Sequence, residues 1–189
     1  MSKLKAAMWV HGNSVRVERQ RPIRVPSSIA YEDNITLLKD YSVYAEEVDC
    51  FARDVETGLN AFQNYGSGAT FYSGFNVTNW FHFSFPTPVI LDNTYTQLAK
   101  VFVFYKTEEW TQLTNVHIYD GPQRVKVFDG LAFAGDHSNG IDAMNCWELS
   151  PPQTIHYGLG LSVGIKFGPE GPRNPSIYFS AAGADFYTQ

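Results

Sequence analysis

At 189 residues, the chain is long enough for one domain with a sizeable hydrophobic core. Aromatic residues make up 15% of the chain and charged residues only 17%, a composition typical of a compact, sheet-rich protein and not of a disordered one. The formal net charge is −5 and no cluster of Lys and Arg occurs. This argues against duplex DNA or an anionic membrane as a partner, because both require concentrated positive charge.

The N-terminal stretch MSKLKAAMWVHGNSV contains no apolar segment of signal-peptide length, and no run in the chain reaches transmembrane length. We therefore expect a cytoplasmic protein. The two cysteines, Cys50 and Cys146, cannot form a disulfide framework, and free thiols are the simplest expectation.

Most of the chain has the pattern of short strands separated by Gly, Pro, Asn and Asp. Clear turn signals occur at residues 120–122, 129–130 and 139–140. This pattern predicts an all-β protein, an antiparallel, jelly-roll-like β-sandwich formed by a single domain over residues 1–189. The predicted strands are Met8–His11, Val15–Arg19, Thr70–Phe75, Trp80–Phe85, Leu98–Thr107, Thr114–Tyr119, Arg124–Phe128, Asn145–Leu149, Ile155–Phe167, Ser176–Ser180 and Ala184–Thr188.

One segment departs from the strand pattern. From Val43 to Phe62, apolar residues recur at spacings of three and four, while acidic residues and Arg53 fill the other positions. This spacing predicts an amphipathic helix with Ser42 as its N-cap. We interpret residues 27–66 as a helical insertion within the β domain. The predicted buried stripe of the helix includes Val48, Phe51, Val55 and Leu59.

Alternation along the strands predicts which faces are buried. In TNWFHFSF, residues 78–85, one face carries Asn79 and three phenylalanines, whereas the other carries Trp80, His82 and Ser84. The first set is typical of a core face. The complete set of predicted core faces is Phe81, Phe83 and Phe85; Val101 and Val103; Val116 and Ile118; Leu161, Val163 and Ile165.

The strand near residues 155–167 has an apolar face and a face of small residues. Gly158, Gly160, Ser162 and Gly164 occupy alternate positions, followed by Lys166. Glycine weakens a strand, so this pattern indicates that something approaches the face closely. The predicted helix, a second subunit or a ligand are the alternatives, and the helix is the first expectation.

Several strings resemble those of a bacterial family of small proteins of unknown function, whose pattern runs MWVHG, NWFH-x-x-x-PTPVI, V-x-x-x-DGP-x-R and A-G-A-D-F. The matching strings are MWVHGN, NWFHFSFPTPVI, VHIYDGPQRV, GDHSNGID and SAAGADF. The resemblance covers residues 8–20 and about 70–189, and it leaves out residues 27–66, in agreement with an insertion. It implies a shared fold, but it supplies no activity and no site residues.

The histidines and the polar loop residues suit either a metal site or a structural role. The five histidines do not follow the H-x-H spacing of a cupin metal site, which favours hydrogen bonding within strands and turns. The loop GDHSNGID offers oxygen ligands for calcium, but it lacks the EF-hand spacing, and such side chains commonly cap turns. No cofactor and no metal are predicted. The residues concerned are His11, His82, His117, His137 and His156, and, in the loop, Asp136, Ser138, Asn139 and Asp142.

Catalytic patterns are equally weak. No G-x-S-x-G elbow, Walker loop or dinucleotide-binding glycine pattern occurs. Several aspartates stand beside glycine, where turns favour them, although a pair meeting across a cleft would suit acid/base chemistry. These aspartates are Asp120, Asp129, Asp136, Asp142 and Asp185.

The aromatic and imidazole side chains of the polar strand faces are the better candidate site. Trp80 and His82 on one strand, and His117 and Tyr119 on another, are predicted to share an exposed face, with Trp110 or Trp147 at its rim. Asp120 would accept hydroxyl hydrogens of a ligand. A rigid aromatic platform with polar neighbours suits sugars and other flat, partly polar ligands. Packing beneath a helix or a second subunit is the competing interpretation.

Three functions remain open at this point. The first and preferred one is a non-catalytic, lectin-like module that binds a small molecule or sugar. The second is a metal-independent isomerase, cyclase or lyase that uses a His or Asp as acid or base. The third is an assembly protein whose exposed apolar surface forms a homo-oligomer interface.

Overall fold

A computed structural model of the chain describes residues 4–17, 59–108, 110–169 and 175–188, with the backbone alone for residues 59–62. The described residues form fourteen strands and one short 3₁₀ turn, Gly12–Ser14. The strands are β1 (Leu4–His11), β2 (Arg16–Val17), β3 (Leu59–Tyr65), β4 (Gly68–Ser73), β5 (Thr78–Ser84), β6 (Ile90–Leu91), β7 (Thr94–Tyr95), β8 (Gln97–Glu108), β9 (Gln112–Asp120), β10 (Gln123–Phe128), β11 (Asp136–His137), β12 (Cys146–Thr154), β13 (Leu159–Lys166) and β14 (Ser176–Tyr187).

The strands form two main antiparallel sheets. The first sheet has the order β11-β8-β14-β4-β3, with β1 also paired to β14 and β12 also paired to β8. The second sheet has the order β10-β9-β13-β5-β2. Strands β6 and β7 form a separate two-stranded ribbon. The prediction of an all-β, antiparallel protein is therefore confirmed.

The buried faces of the two sheets pack against each other. The ring of Phe81 in the second sheet lies 5.0 Å from that of Phe71 and 5.2 Å from that of Phe179, both in the first sheet. Alternation explains this packing, since every second residue of β5 is buried. All of the predicted core residues are buried, and the burial of apolar side chains is the main stabilising contribution to such a core.

Strand β14 organises the first sheet. One of its edges pairs with β8 along almost its whole length, whereas the other edge pairs first with β4 through residues 176–179 and then with β1 through residues 181–187. The register shifts between Phe179 and Ala181, where the partner changes. The sequence pattern predicts two strands here, 176–180 and 184–188, whereas the structure has one continuous strand with two register shifts, the second between Asp185 and Phe186.

The predicted helix is wrong where the structure describes it. Residues 43–58, which include Val48, Phe51 and Val55, lie outside the described residues, whereas residues 59–62 belong to β3. Here pairing with β4 outweighs the helical spacing, which fits a short strand almost as well. The end of the proposed insertion, residues 59–65, is thus an edge strand of the first sheet. In the parts of the chain that the structure describes, no helix has the length and apolar character needed to cross a bilayer.

Candidate functional site

The outer face of the second sheet carries most of the residues predicted for a binding site. Strand β13 lies between β5 and β9, and Ser162 pairs with His82 on one side and with His117 on the other. In the same way, Gly164 lies between Trp80 and Asn115, and Gly160 lies between Ser84 and Tyr119. We call this surface the β13 groove. Its floor is Gly160, Ser162 and Gly164; its walls are Trp80, His82 and Ser84 on β5 and Asn115, His117 and Tyr119 on β9.

The small residues of β13 create the space between the walls. At the end of the groove near Tyr119, a cavity of about 330 Å³ lies over Gly160 and Ser162. A Cβ atom added at Gly164 would lie only 2.8 Å from Oδ1 of Asn115, whereas one at Gly160 would have nothing closer than 3.7 Å. The close approach expected from the glycine pattern is therefore made by the side chain of a neighbouring strand, and Gly160 borders the open part of the groove.

Two polar pairs line the groove. On the β5 side, Nδ1 of His82 lies 2.8 Å from Oγ of Ser162, a hydrogen-bonding distance. On the β9 side, Nε2 of His117 lies 2.7 Å from Oδ1 of Asp129. Because an ionised carboxylate only accepts hydrogen bonds, Nε2 of His117 carries the hydrogen, and Nδ1 is the lone-pair nitrogen of the neutral ring.

Asp129 is held by two side chains of β9. Nδ2 of Asn115 donates to its Oδ1 at 2.6 Å, and His117 donates to the same oxygen. These two hydrogen bonds lower the pKa of Asp129 below its ordinary value, and the one from Asn115 has the larger effect. Asp129 therefore stays ionised and fixes the tautomer of His117.

Trp80 covers His117. The two ring centroids are 4.7 Å apart, and His117 is only 8% exposed although it lies on the outer face. Trp80 itself is half-buried. It is thus neither a core residue nor a fully exposed platform, and one of its faces is already in contact with an imidazole.

The other predicted residues have different positions. Tyr119 lies on the groove wall, half-buried. Trp147 does not lie at the rim: it is a buried core residue of β12, in the first sheet. Trp110 is 75% exposed in the connection between β8 and β9.

Asp120 has a structural role in the turn after residue 155. Its oxygens accept backbone N–H groups of His156, Tyr157 and Gly158 at 2.8, 2.8 and 3.0 Å, and the side chain is nearly buried. Burial alone would raise the pKa of Asp120, but these three hydrogen bonds outweigh it and lower the pKa. Its acceptor capacity is therefore directed at the backbone, and ligand binding by Asp120 remains a prediction without a geometric argument.

His11 and His137 stabilise turns, whereas His156 is half exposed, with its Nδ1 3.4 Å from Oδ2 of Asp120. His11 accepts from the backbone N–H of Asn13 through Nδ1, and Nδ1 of His137 lies 2.7 Å from Oδ2 of Asp142. In the loop GDHSNGID, residues 135–142, Asp136 accepts hydrogen bonds from the backbone N–H and the hydroxyl of Ser138. Among the described residues, no three His, Cys, Asp or Glu side chains lie close enough together to hold a metal ion.

Sequence reasoning missed Asn115, and it named Asp129 only among the aspartates beside glycine, without placing it next to His117. Asp129 follows β10 in an Asp-Gly pair, so its sequence context indicated only a turn. The signal that would have identified it is the hairpin itself, because the antiparallel pairing of β10 with β9 returns residue 129 to the level of Asn115.

The family comparison covers the part of the chain that builds this groove. Residues 62–186 match the family described as "Family of unknown function (DUF6623)". The chain belongs to this family. The resemblance to a family of unknown function is therefore confirmed, and the DUF6623 match runs from β3 into β14 and includes the whole β13 groove. No curated protein and no solved structure shows significant similarity to the chain. The family description assigns no activity, so the argument for function rests on the groove.

Proposed function

We propose that the protein is a jelly-roll-like β-sandwich module that binds a small, partly polar ring ligand, such as a sugar, in the β13 groove. The observation that carries this proposal is the floor of Gly160, Ser162 and Gly164 between two walls of ring side chains. A strand that only had to pack would gain stability from larger outward side chains, since glycine weakens a strand. At Gly160 the absence of a side chain instead leaves room for a ligand.

The walls suit such a ligand chemically. Trp80 and Tyr119 provide apolar rings, whereas His82 on the wall and Ser162 on the floor border the cavity with groups that donate and accept hydrogen bonds. A ligand that combines a ring with hydroxyl groups would use both kinds of contact. The six wall residues include no Lys or Arg, but Arg16, paired with His82, and Arg124, paired with Tyr119, flank the walls on the same face of the sheet.

A steric block tests the proposal. In Gly160→Val, the added side chain meets no atom closer than about van der Waals distance at Cβ, and valine favours strands, so folding is expected to be retained while the groove is filled. Gly74→Val is the matched control, since a Cβ there has no neighbour within 4 Å and lies outside the groove.

The measurement is binding by titration calorimetry and ¹H–¹⁵N NMR with a panel of mono- and disaccharides. We expect ligand-induced shifts of the amides that line the β13 groove, residues 82–84, 119–121 and 160–162, in the wild type and in Gly74→Val, and their loss in Gly160→Val. If these amides shift at the same affinity in Gly160→Val, the β13 groove is not the site. Sedimentation of the same samples tests the alternative of a homo-oligomer.

A second candidate function, acid/base catalysis without a metal, is favoured by the hydrogen bond between His117 and Asp129. This pair leaves Nδ1 of His117 as a proton acceptor, and His82 lies across Ser162 as a second titratable ring. NMR spectra of a bound ligand followed over time separate the two functions. A binding module leaves the ligand unchanged, whereas an enzyme converts it, and Asp129→Asn would then slow conversion more than it weakens binding.

A further inference from the structure

A second groove lies on the outer face of the first sheet, on the opposite side of the two packed sheets from the β13 groove. Its floor is Ser176 of β14, which pairs with Tyr72 on one side and with Glu108 on the other. Two residues further along β14, Tyr178 lies between Thr70 and Lys106. Because Ser176 is small and buried between longer side chains, a cavity of about 370 Å³ opens above it.

Three tyrosines line this cavity: Tyr65, Tyr72 and Tyr178. Two of them are fixed by their hydroxyl groups, since Oη of Tyr178 donates to the backbone oxygen of Ser67 at 2.6 Å and Oη of Tyr65 donates to the side chain of Gln63. Tyrosine loses little conformational freedom when it binds a ligand, and rings that are already held lose less.

The electrostatic character of the groove favours a neutral ligand. Nζ of Lys106 lies 3.1 Å from Oε1 of Glu108, so the two charges that line the cavity compensate each other. Burial, with further contributions from Tyr65 and Glu108, raises the pKa of Tyr72, which keeps its phenol uncharged. Lys106 still offers donors and Glu108 still offers acceptors, because both side chains are partly exposed at 43% and 41%.

We propose that this surface, the tyrosine groove (Tyr65, Thr70, Tyr72, Lys106, Glu108, Ser176 and Tyr178), is a separate binding site for a neutral saccharide. Ring faces for stacking, paired donors and acceptors, no net charge among the lining residues and a volume suited to one or two sugar rings are the features that such a ligand requires. The inference does not depend on the β13 groove, since no residue is shared between the two surfaces.

The test uses the full chain and ¹H–¹⁵N NMR titrations with maltose and with cellobiose, each at millimolar concentration. We expect at least one of the two to shift the amides of residues 70–72, 106–108 and 176–178, both in the wild type and in Gly160→Val. Tyr72→Ala should weaken this binding about tenfold, through the loss of one stacking ring. Gly74→Val is again the control, with unchanged affinity.

Glu108→Gln provides a second variant that does not depend on the aromatic rings. It removes a charged acceptor and retains the shape of the side chain, so we expect weaker binding of the sugar with an unchanged melting temperature. The proposal is overturned if neither disaccharide shifts these amides. It is also overturned if the shifts persist at the same affinity in Tyr72→Ala. If Tyr72→Ala does not fold, unchanged affinity in Glu108→Gln overturns the proposal instead.

Discussion

The imidazole of His117 lies against the indole of Trp80, with ring centroids 4.7 Å apart and planes inclined by 46°. The edge of the same imidazole is hydrogen-bonded to Asp129. His117 is therefore fixed both at its face and at its edge, and any ligand in the β13 groove meets a histidine with a defined orientation. The first two predictions concern these two contacts.

Trp80→Ala should cost about 1–2 kcal/mol of unfolding free energy. Trp80 is half-buried and loses one ring contact, which is less than the ~3–5 kcal/mol expected for an aromatic residue deleted from a core. Urea denaturation measures the difference. Trp110→Ala is the control, with almost no effect expected because Trp110 is 75% exposed. A cost near that of a core residue would show that Trp80 serves packing and not ligand binding.

Gly164→Ala should raise the pKa of Asp129 towards its ordinary value of 3.8. The added Cβ would lie 2.8 Å from Oδ1 of Asn115, so the amide must move, and its hydrogen bond is the largest cause of the lowered pKa. A carboxylate titration by ¹³C NMR measures the change. In Gly160→Ala, where the nearest atom is 3.7 Å away, the pKa of Asp129 should be unchanged. Equal titration curves for both variants and the wild type would contradict this account.

In Asp120→Asn, the unfolding free energy should fall less steeply towards acid pH than it does in the wild type. The pKa of Asp120 is lower in the folded protein than in the unfolded chain, so its carboxylate stabilises the fold above the ordinary pKa of 3.8. That contribution disappears as the pH falls through the folded pKa. Since Asn retains one acceptor oxygen for three N–H donors, we expect a cost of about 1–3 kcal/mol near neutral pH.

Thermal and urea unfolding of Asp120→Asn between neutral pH and pH 3 provide the measurement. The difference in unfolding free energy between the wild type and Asp120→Asn should become smaller as the pH falls. Asp92→Asn is a suitable control, because Asp92 is an exposed residue whose ion pair with Lys5 lies at the surface. A difference in unfolding free energy that does not change with pH would mean that the ionised form of Asp120 contributes nothing to the stability of the fold.

Gly12→Ala should destabilise the protein by about 3 kcal/mol, through a clash with the backbone and not with a side chain. A Cβ at this position would lie 1.9 Å from the carbonyl oxygen of Phe179, in the bulge of β14. Gly74→Ala has open space around it and should be neutral. The melting temperatures of the two variants provide the comparison. Equal values would show that the backbone of β14 can move away from the added Cβ without loss of stability.

Alternation was sufficient to predict the core, because a strand packed on one side shows a period of two in its residues. The phenylalanines of β5 and the aliphatic residues of β13 are examples. The same pattern placed Trp80, His82, His117 and Tyr119 on the outer face of one sheet. What it could not supply is the order of the strands, and the groove depends on β13 lying between β5 and β9.

The errors have related physical causes. The stretch 59–62 follows helical spacing locally, and its pairing with β4, in a hairpin that turns at residues 66–67, makes it a strand. Asp120 and Asp129 look alike in sequence, since each precedes a glycine after a strand. One of them binds backbone N–H groups and the other binds a histidine. The difference lies in which segments face each carboxylate, and this is a property of tertiary structure.

The position of β14 in the first sheet also has a kinetic consequence. Its partners β1, β4 and β8 all precede it in the chain, and β1 is separated from it by most of the sequence. During synthesis these strands must therefore wait, with unpaired edges, until residues 176–187 have emerged from the ribosome. Pairings over such distances close slowly, and exposed edges promote association between chains. Production of this protein in quantity should therefore benefit from a low expression level, because association between unfinished chains depends on their concentration.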